Sequence, residues 1–225
     1  VDWCETHREE TWKLNVVAVE NLAEVARKVK AKLIHVSTDY VFDGKNGPYN
    51  ESAQPNPLGY YGKSKLASEN AIQTADIDYA IVRTMVLFGY GIQVKSNFAL
   101  WVIDNLRRGT LIRVVDDQFG NATFVGDLAL AMIKIFELGK SGLYHVAGKD
   151  ILSRYDFALQ IADVFQLDPS LIQRIKTTDL QQQAPRPMKS GLIVEKAERE
   201  LGMRFLTARE GIIKLKQELD DCHKN

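Results

Sequence analysis

Short apolar runs alternate with helix-length amphipathic segments along most of the chain, and this alternation constrains the fold more than any other feature. Residues 33–37, 79–83, 111–115 and 143–146 are apolar and rich in β-branched side chains, the pattern of strands inside a sheet. Between them lie segments that suit helices: about 58–74, a stretch after Ser96 that stops at Gly109, and one from Asp127 to near Gly139. Such alternation predicts an α/β fold with a mainly parallel sheet. Ligands in these sheets bind beyond the carboxyl ends of the strands. That rule points to Thr38 and to the loop after Arg83.

The flanking regions read differently. Thr6 and Glu9 have capping-box spacing and are expected to open a long helix. Its apolar stripe is Trp12, Val16, Val19, Ala23 and Ala26, widened by Leu22, Val25 and Val29 and interrupted by Asn15. After Gly148 the rhythm changes. Ser153 with Asp156 caps one more helix through Phe165, an irregular polar stretch carries Pro185-Arg186-Pro187, and charged helices near 194–201 and 209–219 follow. Two parts are therefore expected: residues 1–148 as the sheet domain, and 149–225 as a smaller lobe that mainly binds substrate.

Composition narrows the class of function. Among 225 residues, 29 basic and 29 acidic side chains cancel, so no net charge draws the chain to nucleic acid or to an anionic membrane. No apolar run approaches the roughly 18 residues of a membrane span. The polar start Val1-Asp2-Trp3-Cys4-Glu5 is unlike a signal peptide. Two cysteines, Cys4 and Cys222, make no disulfide framework, and a reducing cytoplasm is expected. His7, His35, His145 and His223 lack metal-ligand spacing with any Cys or carboxylate, so no metal ligand is assigned.

The chemistry concentrates between residues 33 and 65. Tyr61 and Lys65 are four residues apart on a predicted helix and share a face. A phenol and an ammonium both titrate near 10 in water, and an opposite charge within about 4–6 Å stabilises a phenolate. With the Thr38 hydroxyl at a strand end, the three make a proton-transfer site for a carbonyl or alcohol. A Tyr and a Lys at this spacing also occur on surface helices that have no such role.

Two longer strings give context: Ser37-Thr38-Asp39-Tyr40-Val41-Phe42-Asp43-Gly44, and Pro57-Leu58-Gly59-Tyr60-Tyr61-Gly62-Lys63-Ser64-Lys65. Together with Asn15-Val16, Arg83-Thr84, the segment from Asp117 to Thr123, and Arg186-Pro187, they resemble the extended short-chain dehydrogenase/reductases, and within them the dTDP-4-dehydrorhamnose reductase family. Val86 stands where that group carries tryptophan, and Ala122 where its motif carries proline.

The resemblance implies a Rossmann-like, doubly wound parallel sheet with a smaller C-terminal substrate lobe. It further implies reduction, by NADPH or NADH, of a keto group on a nucleotide-activated sugar. Tyr61 would be the general acid, Lys65 would bind the nicotinamide ribose and lower the tyrosine pKa, Thr38 would orient the carbonyl, and Asn15 would support a relay water. Thr84 and Met85 would face the cofactor. Asp39, Tyr40, Asn97 and Arg186 would contact the substrate, Arg186 through its diphosphate. Mg²⁺ is sometimes used in the family, and no ligand for it is assignable. A homodimer is expected.

The Gly-rich dinucleotide loop of the family follows its first strand. It is absent from this sequence, so the N-terminal strands are expected to lie outside the chain. Gly89-Tyr90-Gly91, with Val94 at the third glycine position, reads as a turn. Two other readings share the motifs: a non-catalytic dinucleotide-binding regulatory subunit like that of methionine adenosyltransferase, and a nucleotide-sugar epimerase or dehydratase.

Overall fold

The computed structural model describes residues 1–91 and 96–222; Val94 and His223 lie outside the described residues. A helical run opens the chain: α1 (Asp2–Thr6), α2 (Arg8–Trp12), a π-helical turn (Lys13–Val17) and α3 (Ala18–Val29). Then come β1 (Leu33–Thr38), α4 (Tyr60–Gln73), β2 (Tyr79–Thr84), β3 (Leu87–Phe88) and α5 (Phe98–Arg107). Next are β4 (Ile112–Val115), β5 (Phe119–Asn121), β6 (Thr123–Phe124), α6 (Val125–Glu137) and β7 (Gly142–His145). The chain continues through β8 (Ile151–Ser153), α7 (Arg154–Phe165), β9 (Ile172–Ile175), α8 (Glu195–Leu201) and α9 (Ala208–Cys222).

β1, β2 and β7 form a parallel sheet in that order, the α/β architecture that the alternation predicts. The register sets Thr38 beside Thr84, so two hydroxyls end adjacent strands on the carboxyl side. One core, with Phe42, Val82, Tyr144, Ile135 and Leu201, packs on this sheet. A second is built from Phe88, Ile103, Leu106, Ile112, Phe157, Ile161 and Ile212. The cores interleave the chain: α5 and β4 share one with α7 and α9, whereas α8 shares the other with the central sheet.

A buried ion pair ties α4 to β2. Glu69 on α4 is fully buried and receives two hydrogen bonds from Arg83 on β2, from Nε at 2.9 Å and from Nη2 at 2.6 Å. The Ser37 hydroxyl on β1 donates to the same carboxylate, and the Arg83 guanidinium lies 5.1 Å from the Phe42 ring centre. Three elements that carry the site are thus held in one register.

Several expectations need correction. Thr6 lies inside α1, its hydroxyl donating to the Trp3 carbonyl, and no side chain caps α2. Trp12, Leu22, Val25 and Val29 are exposed; the buried stripe is Thr11, Val16, Val19, Ala23 and Ala26. Asn97, not Ser96, caps α5, its side chain accepting from the Leu100 amide at 3.2 Å. The stretch after Phe165 is not irregular throughout, because β9 pairs in parallel with β4. Residues 151–153, 119–121 and 123–124 form short strands unmarked by any long apolar run.

The Ser153 cap is as expected: its hydroxyl accepts from the Asp156 amide at 3.0 Å and donates to the Asp156 carboxylate at 2.7 Å. Ser153→Ala should cost about 1 kcal/mol, readable as a lower urea midpoint at unchanged slope.

Candidate active site

Thr38 ends β1 and turns the chain into a short 3₁₀ segment, its hydroxyl accepting from the Tyr40 amide at 3.2 Å. Asp39 follows, with one carboxylate oxygen accepting from Thr38 Oγ1 at 3.1 Å and the other from Ser190 Oγ at 2.6 Å. Tyr61, in the first turn of α4, meets the Tyr40 ring edge-on at 5.6 Å between centroids. Gly62 explains how α4 comes so close: a Cβ there would lie 2.1 Å from the Tyr40 carbonyl oxygen. Backbone cannot yield to that overlap, so Gly62→Ala should cost about 1–3 kcal/mol and also displace Tyr61. Denaturant melts and turnover, measured on one preparation, check both effects.

Burial dominates the titration of this cluster. It pushes the Tyr61 phenol up to about 12, with the negative charge of Asp39 adding to the rise and the Thr38 hydroxyl opposing it. The phenol is therefore protonated at neutral pH and can serve as an acid. Burial also brings Lys65 down to about 8, opposed by Glu69. The Lys65 ammonium donates to the Val36 carbonyl at 2.8 Å and lies 3.0 Å from His35 Nε2, which burial and Lys65 together lower to about 4. Tyr61 and Lys65 come together on one helical face, but Thr38, not Lys65, is the neighbour that pulls the phenol pKa down here.

Burial raises Asp39 to about 6 from 3.8, despite its hydrogen bonds to Ser190 and Thr38 and the charge of Arg154. An acid whose folded pKa is raised contributes stability that is full below the unfolded pKa and lost as pH rises through the folded one. Wild-type stability should therefore fall relative to Asp39→Asn as pH climbs from about 4 to about 6. Urea midpoints at matched pH values test this.

Beyond the strand ends lie two adjoining cavities that share Tyr40, Gln118, Arg154 and Arg186. The smaller reaches Asp39, Met85 and Ser190. The larger, about 460 Å³, is walled by Phe98, Trp101 and Val115. The Arg186 side chain is only 10% exposed. Its Nη2 donates to Asp2 at 2.6 Å, its Nε to Gln182 at 3.3 Å, and its buried Nη1 has no partner. Two guanidinium groups on a half-apolar cavity suit an anion that carries a flat ring.

Other expected site residues are distributed as follows. Asn15 sits in the π-helical turn, a feature frequent at functional sites, and donates to the buried Ser64 hydroxyl at 3.0 Å. Thr84 is buried at the end of β2, and its hydroxyl has no partner. Met85 lies against Gly120 and lines the smaller cavity. Asn97 is committed at both ends, capping α5 and donating to the Gly89 carbonyl at 2.8 Å. Val86 adopts φ 45°, a strained conformation for a β-branched residue, at the wall of the smaller cavity. Sequence reading gave no site role to Arg154, Gln118 or Ser190; Gln118 entered only within the Asp117–Thr123 motif, and only the first turn of a predicted helix marked Arg154.

Among the described residues, no group of three or more His, Cys, Asp or Glu is arranged to hold a metal ion, and no helix is long and apolar enough to cross a membrane.

The chain is similar to several known proteins. The dTDP-4-dehydrorhamnose reductase of Aggregatibacter actinomycetemcomitans is 37% identical over 91% of this chain and 72% of its own length. A solved dTDP-4-dehydrorhamnose reductase from Bacillus anthracis, in complex with NADP, superposes with a TM-score of 0.90 at 30% identity, over 97% of this chain and 76% of that one. Methionine adenosyltransferase 2 subunit beta of Xenopus laevis is 35% identical over 83% of this chain and 57% of its own length. The family described as RmlD substrate binding domain matches residues 1–220, and the chain belongs to it.

Proposed function

We propose that the protein reduces a keto group of a nucleotide-activated sugar with NADPH or NADH, in the manner of a dTDP-4-dehydrorhamnose reductase. The observation that carries this reading is a half-buried Tyr61 phenol beside Thr38, its pKa raised by burial, at the carboxyl end of a parallel sheet and near an arginine-lined cavity. Relatives named for that activity, and one solved with NADP, support it.

In this reading Tyr61 gives its proton to the carbonyl oxygen, and Thr38 and Tyr61 hold that oxygen in place. The free Thr84 hydroxyl and Met85 stand at the end of β2 and Lys65 reaches the Val36 carbonyl on β1, a set that fits a nicotinamide nucleotide. When bound, the reduced nicotinamide supplies the hydride. Lys65 is poised to exchange its Val36 contact for a ribose hydroxyl and to stabilise the phenolate left by proton transfer. Arg186, through its free Nη1, and Arg154 take the diphosphate, and Asp39 and Tyr40 line the sugar side. Asn97 and Asn15 act by anchoring α5 and α4.

Residues 1–148 would carry proton transfer, and 149–225, with Arg154, Arg186 and Ser190, would mainly hold substrate. Two unpaired cysteines fit a reducing cytoplasm. A homodimer is expected, and light scattering tests it.

Arg186→Ala should raise KM for the nucleotide sugar at least about tenfold with little change in kcat, since a charge-assisted bond made equally in ground and transition states is lost. An unchanged KM would remove Arg186 from the substrate site.

Similarity to a methionine adenosyltransferase beta subunit supports a second reading, a dinucleotide-binding regulatory protein. Full-length protein that binds NADPH without oxidising it in the presence of a dTDP-4-keto-sugar would favour that reading.

A further inference from the structure

The hydroxyls around Asp39 have a definite direction. Ser190 gives its single proton to Oδ2 at 2.6 Å, and Thr38 gives its own to Oδ1 at 3.1 Å. Thr38 Oγ1 also accepts from the Tyr40 amide. A hydroxyl has one proton and two lone pairs, so Thr38 in this state has one lone pair left and no proton to give. It cannot donate to a substrate carbonyl.

Ser190 is held to this contact by backbone pairing on both sides. Its amide donates to the Phe119 carbonyl at 3.1 Å, and the preceding Lys189 amide donates to the Gly44 carbonyl at 2.9 Å. Gly44 (φ 69°) is needed here, because a Cβ would lie 2.6 Å from Pro187. The Ser190 hydroxyl is buried and therefore serves Asp39 alone.

We propose that Ser190 and Asp39 are positioning residues that set the direction of the Thr38 hydroxyl: toward Asp39 while that carboxyl is ionised, and toward the reacting oxygen once it carries a proton. A protonated Asp39 can donate to Thr38 Oγ1, which releases the threonine proton to turn away. The proton comes from solvent and no covalent bond to carbon changes. Charged and titratable groups around Asp39 are Arg154, Tyr40 and Tyr61, with Arg186 beside the Tyr40 ring. None of them reaches its oxygens by a hydrogen bond as Ser190 and Thr38 do. Asp39 ionises near pH 6, so the switch falls in a physiological range. The catalytic part of this inference rests on the reductase reading; the hydrogen-bond part does not.

The test is a carboxyl-carbon NMR titration of full-length protein labelled at aspartate, run beside a pH profile of kcat. Asp39 is assigned by the resonance missing in Asp39→Asn. Its midpoint should lie near 6 in wild type and rise by about one pH unit in Ser190→Ala, and likewise in Thr38→Val, as each removes a donor to the charged form. The fall of kcat with rising pH should track the wild-type midpoint, move up with it in Ser190→Ala, and flatten in Asp39→Asn. Ser190→Cys, a weaker donor in the same place, should lie between wild type and Ala. Shifted titrations without wild-type turnover would overturn the reductase reading and keep the hydrogen-bonded switch. Normal turnover with an unmoved titration and pH profile would overturn the switch and keep the reductase.

Discussion

Replacing Tyr61 by phenylalanine should lower keto-sugar turnover by about 10²–10⁴-fold and leave NAD(P)H binding nearly unchanged. Phenylalanine keeps the ring that packs edge-on against Tyr40 and removes only the hydroxyl. The loss should therefore fall on kcat and on kcat/KM equally, the signature of an interaction made only in the transition state. The high pKa of the phenol sharpens the expectation: with its proton retained to about pH 12 in the free site, Tyr61 is loaded as an acid throughout the neutral range. Turnover by Tyr61→Phe within a few-fold of wild type would show that another group delivers the proton.

The second large effect concerns stability. Arg83→Leu removes the cation hydrogen-bonded to Glu69, whose carboxylate is fully buried and, among the described residues, otherwise accepts from Ser37. Breaking a buried pair in this way costs about 3–5 kcal/mol, because a charge is left uncompensated in a dry site. The double change Arg83→Leu with Glu69→Leu should recover much of that loss, since well-packed apolar residues replace buried pairs at little cost. Urea unfolding of the two variants and wild type separates these outcomes. A single-variant loss under about 1 kcal/mol would mean that water reaches the pair. The same pair fixes α4 against β2, so Arg83→Leu should also impair Tyr61, which rides on that helix.

The sequence reveals the sheet because its strands are long enough to be apolar throughout and its helices have a regular period. β1, β2 and β7 follow from such runs, and so does the helix that places Tyr61 and Lys65 on one face. β9 did not stand out, because Ile172-Gln173-Arg174-Ile175 is short and half polar, and it is a strand only by pairing with β4 from some sixty residues away. The exposed Leu22, Val25 and Val29 show a different limit: periodicity marks an apolar stripe but not which side of it finds a partner.

The same holds at the site. Tyr61, Lys65 and Thr38 are legible because local spacing and a familiar motif carry them. Arg154 and Ser190 are not, because their meaning arises only when α7 and the segment after Pro187 fold back onto Tyr40 and Asp39. Lys65 teaches a related lesson. Its spacing from Tyr61 predicts a shared face, and the face is shared, yet its ammonium turns to the Val36 carbonyl and His35.

The central claim is hydride reduction of a nucleotide-bound keto-sugar at this site, and isotope transfer tests it most directly. Full-length protein, given NADPH deuterated at the transferable nicotinamide position and a dTDP-4-keto-sugar, should yield a sugar alcohol with deuterium at the former carbonyl carbon, detected by mass spectrometry. Unreduced keto-sugar recovered without deuterium, from protein that demonstrably binds NADPH, would contradict the account.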